Sequence, residues 1–256
     1  MSLLAVHNLS KSFGGVQAVK DVSFELGAGE MLALIGPNGA GKTTCFNMLN
    51  GQLKADTGTV LFEGKELIGL NPRTIWRLGI GRTFQITATF ASMTVRENVQ
   101  MALISHHRRI FEFFSRATKL YVAEADALLD RVGMVDMAER ACSELAYGDL
   151  KRLELAIALA HEPRVLLMDE PTAGMAPAER ISLMQLTADI VAEGGLSVLF
   201  TEHDMDVVFE QAHRILVLNR GELLAEGTPD EIRNDEQVQQ VYLGGGATYN
   251  TEGGDA

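Results

Sequence analysis

The chain has 256 residues, a net charge of -12 at pH 7 and a sequence pI of about 5.0. That length suits one large domain or two small ones with a sizeable core, and the acidic balance argues against a protein that binds nucleic acid over its whole surface. Cys45 and Cys142 are too few for a disulfide framework and sit in no metal-ligand spacing, which fits a reducing compartment.

In chain order, Met1–His7 carries no basic, apolar leader pattern. No apolar run approaches the roughly 18 residues that mark a membrane-spanning helix, so a role at a membrane must go through a partner. Leu3–Val6 and Val19–Leu26 have strand character, and Ser10-Lys11-Ser12-Phe13-Gly14-Gly15 between them is expected as a turn presenting an aromatic ring. Met31-Leu32-Ala33-Leu34-Ile35 is a short apolar run of the kind that forms a buried strand. It leads into Gly36-Pro37-Asn38-Gly39-Ala40-Gly41-Lys42-Thr43-Thr44, a G-x-x-x-x-G-K-T spacing, after which Lys42 to Asn50 reads as a helix stopped at Gly51.

Strand, glycine loop and helix are the context a phosphate-binding loop requires; a glycine-rich structural turn is the alternative. Gly36, Gly39 and Gly41 let backbone approach a phosphate with no Cβ in the way. The loop's N–H groups and the helix amino end then favour an anion. Lys42 supplies a point charge for the β- and γ-phosphates, and the Thr43 hydroxyl is placed to ligate magnesium.

Further on, Gly58–Phe62 suggests a strand with a turn at Glu63-Gly64-Lys65, and Pro72 opens a helix to about Leu78. Residues near 94 to 160 are helical in pattern: Val95, Val99 and Leu103 form one apolar stripe, Leu128, Leu129 and Val132 another. A third helix is expected after Gly148, through Leu153 and Ile157 to Ala160. Within this region Ser105–Lys119 places Arg108, Arg109, Arg116 and Lys119 among Ile110, Phe111, Phe113 and Phe114. That is either a solvated face over core aromatics or a docking surface for a partner. From Val165 the pattern alternates: strand Val165–Met168, helix Pro177–Val191, strand Leu196–Phe200, helix Asp204–Gln211, then a hairpin of Ile215–Leu218 and Glu222–Ala225 turning at Asn219-Arg220-Gly221. Such alternation implies a largely parallel sheet. The glycine-rich stretch from Gly244 reads as a flexible tail.

Asp169 and Glu170 fall at the carboxyl end of a buried strand, where open α/β sheets bind ligands. Asp169 there would orient magnesium, and Glu170 would act as the general base on an attacking water. His203, after the next strand, is placed to hydrogen-bond a γ-phosphate.

With these residues in order, residues 3 to about 243 resemble the ATP-binding cassette ATPases. The resemblance implies an α/β P-loop nucleotide hydrolase with a mixed, mostly parallel core sheet, an antiparallel β subdomain and an α-helical subdomain inserted at about 88–160. The cassette domain would span 1–243, with 244–256 as the tail. It assigns Phe13 to stacking on adenine and Gln85 to contact with magnesium. Leu145-Ala146-Tyr147-Gly148-Asp149 matches the signature motif, Asp169 and Glu170 the Walker B pair, His203 the switch histidine, and Ala173-Gly174-Met175-Ala176 the D-loop. Arg82-Thr83-Phe84-Gln85, Arg152-Leu153-Glu154-Leu155-Ala156 and Ala225-Glu226-Gly227-Thr228-Pro229 are similar to the ATPase subunits of bacterial branched-chain amino acid importers.

The implied cofactors are ATP and Mg²⁺. The implied partners are a second cassette subunit paired head to tail, transmembrane permease subunits and a substrate-binding protein, with no nucleic acid; the implied location is the cytoplasmic face of the inner membrane. Each ATP would lie on one subunit's phosphate loop under the other's signature helix. Ala146 stands where the family usually has serine, Asp149 where it has glutamine and Ala176 where it has aspartate. Nucleotide-driven pairing without membrane partners is therefore expected to be weak. An exporter or lipid-transport ATPase remains within the same class. A soluble cassette ATPase of DNA repair or translation would carry tandem cassettes, coiled coils or basic arms, and a small-molecule kinase needs no signature motif.

Overall fold

The computed structural model describes residues 2–83, 89–107 and 120–243; Gln85, the basic and aromatic stretch 108–119 and the tail from Gly244 lie outside the described residues. The elements in chain order are β1 (Ser2–Phe13), β2 (Val16–Gly27), β3 (Met31–Ile35), α1 (Lys42–Leu49), β4 (Thr57–Phe62), β5 (Lys65–Glu66), α2 (Pro72–Leu78), β6 (Ile80–Arg82), α3 (Val95–His106), α4 (Val122–Arg131) and α5 (Tyr147–Leu159). They continue with β7 (Val165–Asp169), α6 (Pro177–Ala192), β8 (Ser197–Thr201), α7 (Met205–Gln211), β9 (Arg214–Asn219), β10 (Glu222–Gly227), α8 (Pro229–Asn234) and α9 (Glu236–Leu243).

Two sheets form. One is antiparallel, in the order β2-β1-β4-β5; the other runs β10-β9-β3-β8-β7-β6, with parallel pairing from β9 to β6 and β10 antiparallel at its edge. The central strands are buried on both faces, and their residues alternate between two cores. Met31, Ala33, Ile35, Leu166, Met168, Val198 and Phe200 pack with α3 to α8. Leu32, Leu34, Val165, Leu167, Leu199 and Leu216 pack with α1 and the antiparallel sheet, including Phe46, Val6, Leu9 and Val22. The helix that follows the glycine loop is therefore clamped between the two sheets.

Two expectations are corrected. Ser10–Phe13, expected in a turn, continues β1: Lys11 pairs with Val19 and Phe13 with Val16, leaving Gly14-Gly15 to reverse the chain. Polar side chains hid the strand, because this end of the hairpin is held by pairing and by Asp56, whose carboxylate accepts from the Ser12 N–H at 2.8 Å and Lys11 Nζ at 2.7 Å. The helix expected after Gly148 begins at Tyr147, since Ala146 already accepts the Leu150 N–H at 3.0 Å. Helix starts elsewhere follow local chemistry. Asn71 caps Pro72-initiated α2, and reciprocal Thr94–Glu97 and Thr228–Glu231 boxes cap α3 and α8.

His161, just past α5, is wedged behind β6. Its ring lies 4.7 Å from that of Trp76 and against Gly81, where a Cβ would meet its Cε1 at 2.8 Å. Burial, then the nearby His106, pushes the imidazole down from 6.5 to about 4. The unfolded chain thus takes up a proton below pH 6.5 that the folded chain refuses until about pH 4, so stability falls as pH drops through that window. Between pH 7 and pH 5 this group is expected to remove about 2 kcal/mol. Urea unfolding at both pH values checks it: His161→Asn should shrink the pH-dependent difference by that amount, whatever its effect on stability at pH 7.

Candidate active site

β3 ends at Ile35 in the middle of the parallel sheet, so the glycine loop opens at the carboxyl edge, between the ends of β8 and β9. Its backbone is in contact on both sides. A Cβ on Gly36 would overlap the Leu218 carbonyl oxygen of β9, and one on Gly41, at φ 107°, the Ala18 carbonyl oxygen of β2. Gly221 in the β9–β10 turn locks the arrangement: its N–H donates to Ala40 O at 3.0 Å, and its O accepts from Lys20 N–H at 2.8 Å. Lys42 Nζ lies inside the loop, donating to Gly36 O at 2.7 Å and more weakly to Pro37 O at 3.4 Å. Burial lowers its pKa, while Glu170 and Asp169 oppose that shift. A cation short of solvent beside a concave row of N–H groups fits an anionic phosphate chain.

Asp169 closes β7 directly opposite Thr201 of β8. It is only 3% exposed, and both carboxylate oxygens are engaged: Thr201 Oγ1 donates to Oδ1 at 2.9 Å, and Arg82 Nη2 to Oδ2 at 2.9 Å. Arg82 is itself oriented by Asn47 Oδ1 at 2.8 Å and Gln52 Oε1 at 3.1 Å. Glu170 has left-handed backbone at φ 50°, which a non-glycine residue holds only when its surroundings enforce it. Here the Glu170 N–H donates to Thr201 O at 3.1 Å and to Thr201 Oγ1 at 3.0 Å. The turn carries the side chain to His203, whose Nε2 lies 2.8 Å from Glu170 Oε1. Glu202 completes the loop by accepting from the Thr172 N–H at 2.9 Å and the Thr172 hydroxyl at 2.6 Å.

Lys42, Asp169, Glu170 and His203 thus come to one edge of the sheet. Among the described residues no group of three or more His, Cys, Asp or Glu side chains could hold a metal ion. Magnesium here would draw on Thr43 Oγ1, phosphate oxygens and water, with Asp169 acting through water because its oxygens are taken; this suits an ion that keeps several waters. Phe13 lies at the β1–β2 turn, 50% exposed as a residue, with Lys11 Nζ 5.7 Å from its ring centre. Of the signature residues, Leu145 and Ala146 precede α5 and Tyr147, Gly148 and Asp149 form its first turn. Gln85 lies outside the described residues. The sequence alone pointed to no role for Arg82 itself, Thr201 or Thr172, and to Gly221 only as part of a hairpin turn. The adjacency of Thr201 to Glu202-His203 was a usable signal; nothing in the sequence pairs Arg82 with Asp169.

A cavity of about 420 Å³ opens beside this edge, between α2, α3 and α5, lined by Ile75, Trp76, Ala102 and Ile157, with Arg82 and Glu154 on its wall.

A phosphate loop at the head of the central strand of a parallel sheet, with carboxylates at the end of a strand two places away, defines a P-loop nucleotide hydrolase. A family model described as "ABC transporter" matches residues 19–173, and one described as "Branched-chain amino acid ATP-binding cassette transporter" matches residues 222–248. The chain belongs to the ABC transporter family and is an ATPase of that family. It is 42% identical over 252 residues to the high-affinity branched-chain amino acid transport ATP-binding protein LivG of Salmonella typhimurium, covering 94% of this chain and 98% of LivG. The ADP conformation of MJ1267, an ATP-binding cassette of an ABC transporter, superposes with TM-score 0.85 at 31% identity, covering 95% of this chain and 99% of that one. The dimeric post-hydrolysis cassette MJ0796, bound to ADP and Pi, superposes with TM-score 0.73 at 25% identity, covering 88% and 98%.

Removing Arg82 takes away the guanidinium bonded to the buried Asp169 carboxylate, and among the described residues leaves it the Thr201 hydroxyl as its hydrogen-bonding side chain and the more distant charge of Lys42. Arg82→Ala is expected to lower folding stability by about 3 kcal/mol in urea. Adding Asp169→Asn should recover part of that loss, because no buried carboxylate then lacks its guanidinium partner.

Proposed function

We propose that this chain is the ATP-hydrolysing subunit of an importer of branched-chain or related amino acids, working as one half of a head-to-tail cassette pair at the cytoplasmic face of the inner membrane. The observation that carries the cargo is the match of residues 222–248, from β10 through α9, to the branched-chain family model, beside LivG likeness along 94% of the chain. Among the described residues no helix is long and apolar enough to cross a membrane, so the membrane contact is assigned to permease subunits. The groove around Trp76 supports that assignment, since it joins the helices to Arg82 and through it to Asp169. A substrate-binding protein would complete the system. The cassette domain is taken as 1–243, with the helical subdomain at about 88–160.

The residues act as follows. The loop amides and Lys42 hold the β- and γ-phosphates, and Lys42 exchanges its bonds to Gly36 O and Pro37 O for phosphate oxygens. Phe13 offers its exposed face to the base. Magnesium, when bound, neutralises charge on the phosphates. Glu170 takes the proton of the water that attacks the γ-phosphorus as the bond to the β-phosphate oxygen breaks, leaving ADP and phosphate. His203 fixes that carboxylate through Nε2 and reaches toward the γ-phosphate from the neighbouring strand. The amino end of α5, carrying Leu145, Ala146, Tyr147, Gly148 and Asp149, caps the nucleotide on the partner's loop. Loss of γ-phosphate removes the charge that joins the two copies, and the pair opens.

Glu170→Gln is expected to keep MgATP binding near the unaltered level and to slow hydrolysis by orders of magnitude, whereas Lys42→Ala should weaken binding itself. Nucleotide titration and phosphate release measured on both variants check this, and near-normal turnover in Glu170→Gln would remove it from the role of base. Permease subunits should co-purify with the chain from detergent-solubilised membranes; purification without them would contradict the transporter reading.

A further inference from the structure

The signature segment and the base-bearing loop of the same chain are joined by hydrogen bonds. Tyr147 Oη donates to Ala173 O at 3.0 Å. The Ala173 N–H in turn donates to Glu170 O at 3.1 Å, and Glu170 Oε1 meets His203 Nε2 at 2.8 Å. The Tyr147 ring rests on the turn at Gly174, φ 81°, its Cε1 3.5 Å from where a Cβ would stand. Lys151 Nζ lies 5.5 Å from the centre of the same ring. The two segments are also held in parallel: the Glu179 carboxylate lies against Gly148 while accepting from the Ala176 N–H at 3.3 Å, and Arg152 Nη2 donates to Ser182 Oγ at 3.0 Å. The amino ends of α5 and α6 therefore form one unit, in which the Tyr147 hydroxyl is the direct hydrogen bond from the signature segment to the turn that follows Glu170. Tyr147 is 44% exposed, so its position is held by these contacts rather than by enclosure.

We propose that Tyr147 is a positioning residue that couples the two ATP sites of the pair. The α5 amino end covers the partner's nucleotide, and the Tyr147–Ala173 bond transmits its seating to this chain's own Glu170. This rests on the head-to-tail reading above. It gives a physical role to a bulky phenol in the first turn of α5, beside Ala146 and near Ala176, neither of which has a polar side chain to make such a link. Coupling of this kind is a free energy shared between sites, and one neutral hydrogen bond changes it by a factor of about five.

Tyr147→Phe removes the hydroxyl and keeps the ring on Gly174. Hydrolysis is measured against ATP concentration at protein concentrations where turnover per chain no longer rises, with MgATP binding and urea unfolding measured alongside. The expected result is a Hill coefficient that falls toward one and a kcat reduced about five-fold, with the urea midpoint unchanged. An equal Hill coefficient and kcat in the two proteins overturns the proposal, as does a kcat loss that tracks a loss of folded stability. If the unaltered chain shows no ATP turnover even in complex with its co-purified permease subunits, the functional reading falls with it; turnover in the unaltered chain matched by Tyr147→Phe removes this inference alone.

Discussion

At Gly36 and Gly41 the phosphate loop passes through a slot with no room for a side chain. One wall is the Leu218 carbonyl of β9, the other the Ala18 carbonyl of β2, and the glycines at 36 and 41 are what let backbone pass between them. The walls belong to different sheets, so the curvature of the nest records how the antiparallel sheet sits on the parallel one. Gly221 stitches the two together by bonding Ala40 on one side and Lys20 on the other. The anion site is thus a property of the whole packing of α1 between sheets, and the alternating cores on either face of β3 hold that packing in place.

Two adjacent carboxylates at the end of β7 are given opposite circumstances. Asp169 points into the sheet edge, nearly inaccessible, with a guanidinium and a hydroxyl on its oxygens. Glu170, one residue later, turns through left-handed backbone and faces a histidine on a more open surface. Thr201 serves both, its hydroxyl donating to Asp169 and accepting from the Glu170 N–H. Divergent environments for neighbouring acids are how one site separates an orienting carboxylate from a proton-accepting one. The left-handed turn is the device that keeps both acids at one edge in different surroundings, since extended backbone would place successive side chains on opposite faces of the sheet.

The helices extend this edge outward. Arg82 faces Asp169 on one side and the Trp76 groove on the other, so a body seated in the groove lies one side chain from the carboxylate. On the far side, the α5 amino end and the turn before α6 share the Tyr147 bond and the Glu179 contact. The Trp76 groove and the α5 amino end therefore each lie within a few bonds of Asp169 or Glu170.

Much was legible from residue order alone. The G-x-x-x-x-G-K-T spacing between an apolar run and a helix located the loop, because that chemistry is carried by backbone within a few consecutive residues. The buried strand before Asp169 located the carboxylates for the same reason. The helix α8 was not expected from the sequence, although its start carries a local capping signal in Thr228-Pro229 with Glu231. The end of β1 was missed because its pairing, not its polarity, makes it a strand. Only the tertiary structure brought Arg82 to Asp169, Thr201 to Glu170, Gly221 to the phosphate loop and Tyr147 to Ala173. Those contacts join residues far apart in the chain through strand register and helix packing, which depend on how every layer fits and leave no mark in a short window of sequence.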